Sequence, residues 1–245
     1  MTVVNVTELW RYPVKSMGGE RLTTASVGPT GIEHDRGWGV VDAATGNVLT
    51  ARREPALLMA TASVTDGELV MRTVDGLRLH SSADLSDWLA RPVTLEAAGD
   101  TGGTYENPAD AARETDWMSW HGPGGAWHDS ARTRVSIVST STLGATGGHD
   151  VRRFRMNVVV DGADEDALVG SRIRIGGVEA IVTKQVDRCV MVTRPQPGLD
   201  RDLEVLRRIN RERGGHLGIG TLVEQPGEIR IGDRVEVLDS ADRTT

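Results

Sequence analysis

Cysteine is almost absent from this 245-residue chain, which has only Cys189. One thiol excludes an internal disulfide, a cysteine-rich zinc site and a four-thiolate iron–sulfur cluster. Long apolar runs are missing too. No stretch approaches the roughly 20 residues that a membrane-spanning helix needs. The opening MTVVNVTELWRYPVK alternates and does not form the apolar block of a signal peptide. A cytoplasmic protein with no membrane partner is the expectation. Positive charge is not in excess, since 28 basic side chains face 35 acidic ones for a net charge of −7. That balance argues against nucleic acid as a partner. Several catalytic signatures are lacking as well. The histidines show no HExxH spacing, and there is neither a GxSxG elbow nor a dinucleotide fingerprint. Gly214-Gly-His-Leu-Gly-Ile-Gly220 has no P-loop lysine and reads as a turn into a strand.

What is present is ordinary globular material, 38% hydrophobic and 26% charged. Short alternating stretches dominate, as strands require. They include Val3 to Trp10, Trp38 to Asp42, Val48 to Thr50, and the pairs flanking Asp66-Gly67 and Gly176-Gly177. Glu228 to Leu238 closes the chain in the same way. Helices are few. Ser82 to Ala90 has a serine cap, and Asp200 to Arg213 sets Leu203, Leu206 and Ile209 on one face. A third begins near Thr140. The expected fold is β-rich mixed α+β, barrel-like, with few covering helices. Residues 99–130 lose this periodicity and read as a Gly/Trp-rich connecting loop, yet they carry Trp117, Trp120 and Trp127. Such a loop is either a functional lid or a connection whose tryptophans cover a neighbouring barrel.

Four separated segments carry a further signal: Tyr12-Pro-Val-Lys-Ser16; Gly31-Ile-Glu-His-Asp-Arg36 followed by Trp38; Arg153-Phe-Arg-Met-Asn-Val-Val-Val-Asp-Gly162; and Asp187-Arg-Cys189 with Pro195-Gln-Pro-Gly198 downstream. Together, and in this order, they resemble the MOSC family. The resemblance implies an N-terminal β-barrel region over residues 1–98 and a MOSC domain over 131–240. It also implies a molybdenum cofactor (molybdopterin).

The chemistry of the residues agrees with that implication. A phosphate calls for cations and hydroxyls, and Lys15, Ser16 and Arg36 supply a point charge, a donor and a planar fork. Alone, each would be an ordinary solvated side chain; the resemblance places all three at cofactor-binding positions. Arg155 and Asn157, two apart on an expected strand, would share one face, and burying them requires a partner such as a pterin edge. Asp129 and Ser130 match a further polar contact of the family. Molybdenum takes thiolate ligands readily, and the family's cysteine ligand corresponds to Cys189. Taken alone, an isolated cysteine is more often a small buried hydrophobe. Asp187, two residues earlier, is a candidate proton donor or ligand orienter. The function implied is an oxidoreductase acting on a small-molecule substrate, an N-hydroxylated or N-oxide compound, with electrons from a separate donor protein. The alternative is a carrier of the cofactor, or of sulfur as a Cys189 persulfide.

Overall fold

The computed structural model describes residues 4–110, 114–162 and 165–239. Val3, the expected start of the first strand, lies outside them. β-Branched residues at alternate positions build the principal sheet of eight strands. Their order is Val235–Asp239, Arg172–Ile175, Val178–Asp187, His216–Gln225, Val135–Ser139, Val158–Val160, Val6–Arg11 and Glu20–Leu22. All neighbours are antiparallel except Val135–Ser139 with Val158–Val160. The alternation is visible in Arg172–Ile175. Ile173 and Ile175 enter the core, while Arg172 and Arg174 face out and pair with Glu179, Glu224, Glu236 and Asp239 on nearby strands. Val158–Val160 is buried at every position because a core lies on each side. Val158 and Val160 join Leu9, Ile137 and Ile219, whereas Val159 joins Phe154, Met156 and Leu217.

The sheet crosses the expected division of the chain. In it Val6–Arg11 pairs with Val158–Val160, and in a separate three-stranded sheet Thr24–Gly28 pairs with Gly227–Arg230. Smaller sheets, Trp38–Asp42 with Val93–Ala97 and Ala60–Thr65 with Glu68–Thr73 and Arg78–Leu79, enclose a separate core around Val14, Met17, Leu57 and Leu85.

Helix α1 (Ser82–Leu89) starts at a capping box between Ser81 and Asp84. Helix α2 (Thr140–Ala145) is capped by Ser139. Helix α3 (Glu204–Arg213) begins four residues after the expected Asp200. Its buried residues are Val205 and Ile209, one turn apart, and Leu203 is exposed instead of joining the stripe. Val48 forms only an isolated bridge to Val41 and no strand. No helix of the described residues is long and apolar enough to cross a membrane.

Residues 99–130 depart most from expectation. Thr104–Asp110 and Thr115–His121 form an antiparallel hairpin that pairs Tyr105 with Trp120 and Asn107 with Met118. A two-stranded ribbon has only edges, so Pro108 is tolerated and little apolar alternation is needed. Those two conditions hid it.

Leu9 is fully buried and pairs with both Val158 and Leu22 at the seam between the two sequence halves. Leu9→Ala is expected to cost about 3 kcal/mol, lowering one shared unfolding transition in urea followed by tryptophan fluorescence. A cost under about 1 kcal/mol, or two separated transitions, would contradict a seam that joins the halves.

Candidate functional site

The first two motifs lie side by side because their backbones bond to each other. Lys15 N donates to Trp38 O at 2.8 Å, Trp38 N to Pro13 O at 3.0 Å and Arg36 N to Tyr12 O at 2.8 Å. The Asp35 carboxylate accepts from Tyr12 N at 2.7 Å. Trp127 N donates to Arg36 O at 2.8 Å, which brings in a third segment. Arg36 then reaches the fourth, donating to Arg155 O at 3.1 Å. Arg155 in turn donates to Met17 O. Ser16, Arg36 and Arg155 all adopt left-handed backbone conformations, with φ of 70°, 54° and 53°. Non-glycine residues rarely do so, and such strain concentrates at functional sites.

These segments wall a cleft of about 440 Å³, to which Asp187-Arg-Cys189 also contributes. All nine sequence-derived candidates line it: Lys15, Ser16, Arg36, Asp129, Ser130, Arg155, Asn157, Asp187 and Cys189. Among the described residues, the cleft's cations are Lys15, Arg36, Arg52, Arg134, Arg153, Arg155, Lys184 and Arg188, eight against the carboxylates Asp129 and Asp187. Both lysines of the chain are among them. A protein of net charge −7 thus concentrates positive charge on one concave surface, an arrangement that attracts an anion.

The cations do different work. Arg188 spends its guanidinium on Leu217 O and Phe154 O, and Arg153 on Val192 O, Arg194 O and Asp200 O. These two hold the loops around Cys189. Arg36 and Arg155 both stack on the Tyr12 ring, at 5.4 and 4.4 Å. Burial, reinforced by Arg36, pulls the Arg155 pKa down to about 10, a sign of crowded like charge. Lys15 is buried, donates to Trp127 O at 2.8 Å and to Asp129 Oδ1 at 2.9 Å, and lies over the Tyr105 ring at 4.5 Å. Its burial lowers its pKa. Asp129 lines the cleft with its side chain 77% exposed. The protein surrounding it works to raise its pKa, but Lys15, with Arg52 and Arg36, outweighs that and holds it at about 2.

Several expectations about local geometry need correction. Arg155 and Asn157 are not on one strand: Arg155 lies in a turn, and the strand begins only at Val158. The left-handed conformation at Arg155 is what ends the regular backbone. Asn157 lines the cleft, but its Oδ1 accepts from Ser136 N and Oγ and its Nδ2 donates to Trp10 O. Its amide is largely spent on structure. Asp187 ends a strand, whereas Cys189 is the half-buried cap of a short 3-10 turn, Val190–Thr193. Asp187 contacts Lys184 and His216, the latter at 3.1 Å. Burial acts to raise its pKa, but Lys184 and His216 overcome that and lower it. It is therefore a carboxylate at neutral pH, suited to orienting or accepting a proton and not to donating one.

Two residues escaped the sequence reading. Arg52 lines the cleft together with Cys189 and also contacts Asn107 on the hairpin. Thr50 lines the cleft with a buried Oγ1 that has no hydrogen-bond partner among the described residues. Neither has a local signal: Arg52 meets Asn107, 55 positions away, and the burial of Thr50 exists only in the fold.

His128 is buried beside this cluster, with Nε2 3.1 Å from Thr30 O. Burial, then Arg36, lowers its pKa to about 4, so the folded protein keeps it neutral. The unfolded chain binds a proton near pH 6.5 that the folded one refuses until about pH 4. Its contribution is complete above pH 6.5 and is lost as pH falls towards 4, up to about 3 kcal/mol. Urea unfolding at pH 7 and pH 4.5 should show a smaller loss for His128→Asn than for the parent. Equal losses would contradict this assignment.

Residues 3–119 match the MOSC N-terminal beta barrel domain and residues 128–236 the MOSC domain. A molybdenum cofactor sulfurase of Anopheles gambiae is 28% identical over 278 residues, covering 90% of this chain and 34% of that protein. The chain thus spans about a third of that relative's length. Mitochondrial amidoxime-reducing component 1 of Mus musculus is 24% identical over 286 residues, covering 96% of this chain and 83% of that one. The solved YUAD protein of Bacillus subtilis superposes with a TM-score of 0.51 at 15% identity, covering 96% of each chain, which shows a shared fold. Two adjoining domain matches over nearly the whole chain agree with the strand-rich architecture, and the protein belongs to the MOSC-domain family.

Proposed function

We propose that the cleft holds a molybdenum cofactor through Cys189 and that the protein reduces N-hydroxylated or N-oxide compounds. The observation that carries this reading is a coincidence in one place. The chain's sole thiol, eight cations and the unpartnered Thr50 hydroxyl all line the same cleft. A buried polar atom without a partner costs about 1–3 kcal/mol, and a bound polar ligand removes that cost. The residues therefore fit an anionic, polar group with a thiolate-accepting metal. Lys15, Ser16, Arg36 and Arg155 would bind its phosphate and pterin edges, with Asp129, Ser130 and Asn157 setting the polar surround. Cys189 would ligate the metal, and Arg52 would steady the thiolate. When bound, the cofactor supplies an oxygen-accepting metal centre. Asp187, ionised and tied to Lys184 and His216, would orient a proton at the cleft edge. Overall, an N–OH compound takes two electrons and two protons and releases water. The electrons would come from a separate donor protein, because no dinucleotide fingerprint offers a seat for NAD(P)H.

Protein expressed in a cofactor-competent host should contain about one molybdenum per chain, and Cys189→Ser should lose or inactivate it, since a hydroxyl is a hard, rarely ionised substitute. With a reduced viologen the parent should reduce an amidoxime anaerobically; with NAD(P)H alone it should not. Full molybdenum without turnover by any donor would favour the carrier. Turnover with NAD(P)H alone would contradict the need for a separate donor.

Arg155→Ala should weaken cofactor retention about thirtyfold, roughly 2 kcal/mol for a lost charge-assisted bond. Arg152→Ala is the control, because Arg152 pairs with Asp150 outside the cleft. Equal molybdenum retention on dialysis in both variants would contradict the assignment of Arg155.

A further inference from the structure

The hairpin Thr104–Asp110/Thr115–His121 is not used by the cofactor reading, and its two faces differ. Directly opposed residues share a face, and faces alternate along each strand. One face therefore carries Tyr105, Trp120, Asn107 and Met118; the other carries Glu106, Ser119, Pro108 and Trp117. The second face is occupied, with Arg53 binding both Glu106 carboxylate oxygens and lying 4.1 Å from the Trp117 ring. The first looks into the cleft, since Trp120 and Asn107 both line it. The three tryptophans of this region thus have three roles. Trp127 is buried with Tyr105, Val41 and Val48, Trp117 carries Arg53, and Trp120 alone lines the cleft.

Trp120 is also held in place. Its ring lies 5.4 Å from that of the fully buried Tyr105. Gly122 lets the rings pack on backbone, because a Cβ there would come within 2.3 Å of Tyr105 Cε2. The hairpin is tied to the cleft rim by Asn107 with Arg52 and by Glu114 with Arg194 at 2.6 Å. Arg52 and Cys189 line the same cleft, and Met191, two residues beyond that thiol, is another apolar lining group. In a cleft dominated by cations this is an apolar surface fixed in position and left open, with Met118 on the same hairpin face 60% exposed. A half-buried indole that lines a cleft offers an apolar surface on which a flat uncharged group can pack.

We propose that the Trp120 face of the hairpin is a substrate subsite that takes a planar aromatic group attached to the reducible N–O function. The proposal rests on the functional reading above and adds the substrate class. Stacking on an indole is worth about tenfold in affinity. The test is calorimetric titration of the full chain, its molybdenum content recorded, with phenyl and methyl amidoximes, which differ only in the ring. The parent should bind the phenyl compound at least about tenfold more tightly. Trp120→Ala should collapse that ratio, while Trp120→Phe, which keeps a ring and guards against misfolding, should retain most of it. An unchanged ratio in Trp120→Ala, or no discrimination by the parent, would overturn the subsite. Turnover of the same compounds with reduced viologen separates the two ideas. Failure to reduce either amidoxime contradicts the functional reading, while the binding ratio still decides the subsite.

Discussion

Mutual repulsion among cations is the constraint on which the site depends. Arg36 and Arg155 meet over the Tyr12 ring, where burial and then the Arg36 charge lower the Arg155 pKa. Without compensation they would separate into solvent. Backbone carbonyls of Met17 and Arg155, the Asp35 carboxylate and the Tyr12 ring hold them instead. The left-handed turns at Ser16, Arg36 and Arg155 belong to the same arrangement, since they aim side chains into the cleft that regular strands would turn aside. Anion binding would relieve both the repulsion and the unpartnered Thr50 hydroxyl.

That arrangement needs segments far apart in sequence, and the shared sheet provides them. Val6–Arg11 lies against Val158–Val160, so the turn after the first strand meets the turn before the second. Lys15 and Arg155 reach one cleft for that reason. Arg188 and Arg153 then use backbone carbonyls to fix the loops on either side of Cys189. The two domain matches are sequence units, while the hydrogen-bonded sheet spans both.

Much of this was legible in the sequence because it depends on local signals. The hairpins at Asp66-Gly67 and Gly176-Gly177, the Ser81 cap and the buried Val158–Val160 strand follow from turn chemistry and alternation. The nine cleft residues came from motif resemblance, and the fold gathers all of them. Arg52 and Thr50 were invisible, because their partners or lack of them exist only after folding. The Trp hairpin was hidden by Pro108 and by the weak apolar alternation of a two-stranded ribbon. The strand assigned to Arg155 and Asn157 was misplaced because alternating residue types cannot reveal a left-handed turn.

The central claim is that a molybdenum centre sits in this cleft on Cys189. Anomalous diffraction at the molybdenum edge, from crystals of protein loaded in a cofactor-competent host, tests it most directly. The account predicts one strong anomalous peak inside the cleft, bonded to Cys189 Sγ and flanked by the Arg36 and Arg155 side chains. A peak elsewhere on the molecule, or a loaded protein whose metal makes no bond to Cys189, would contradict it.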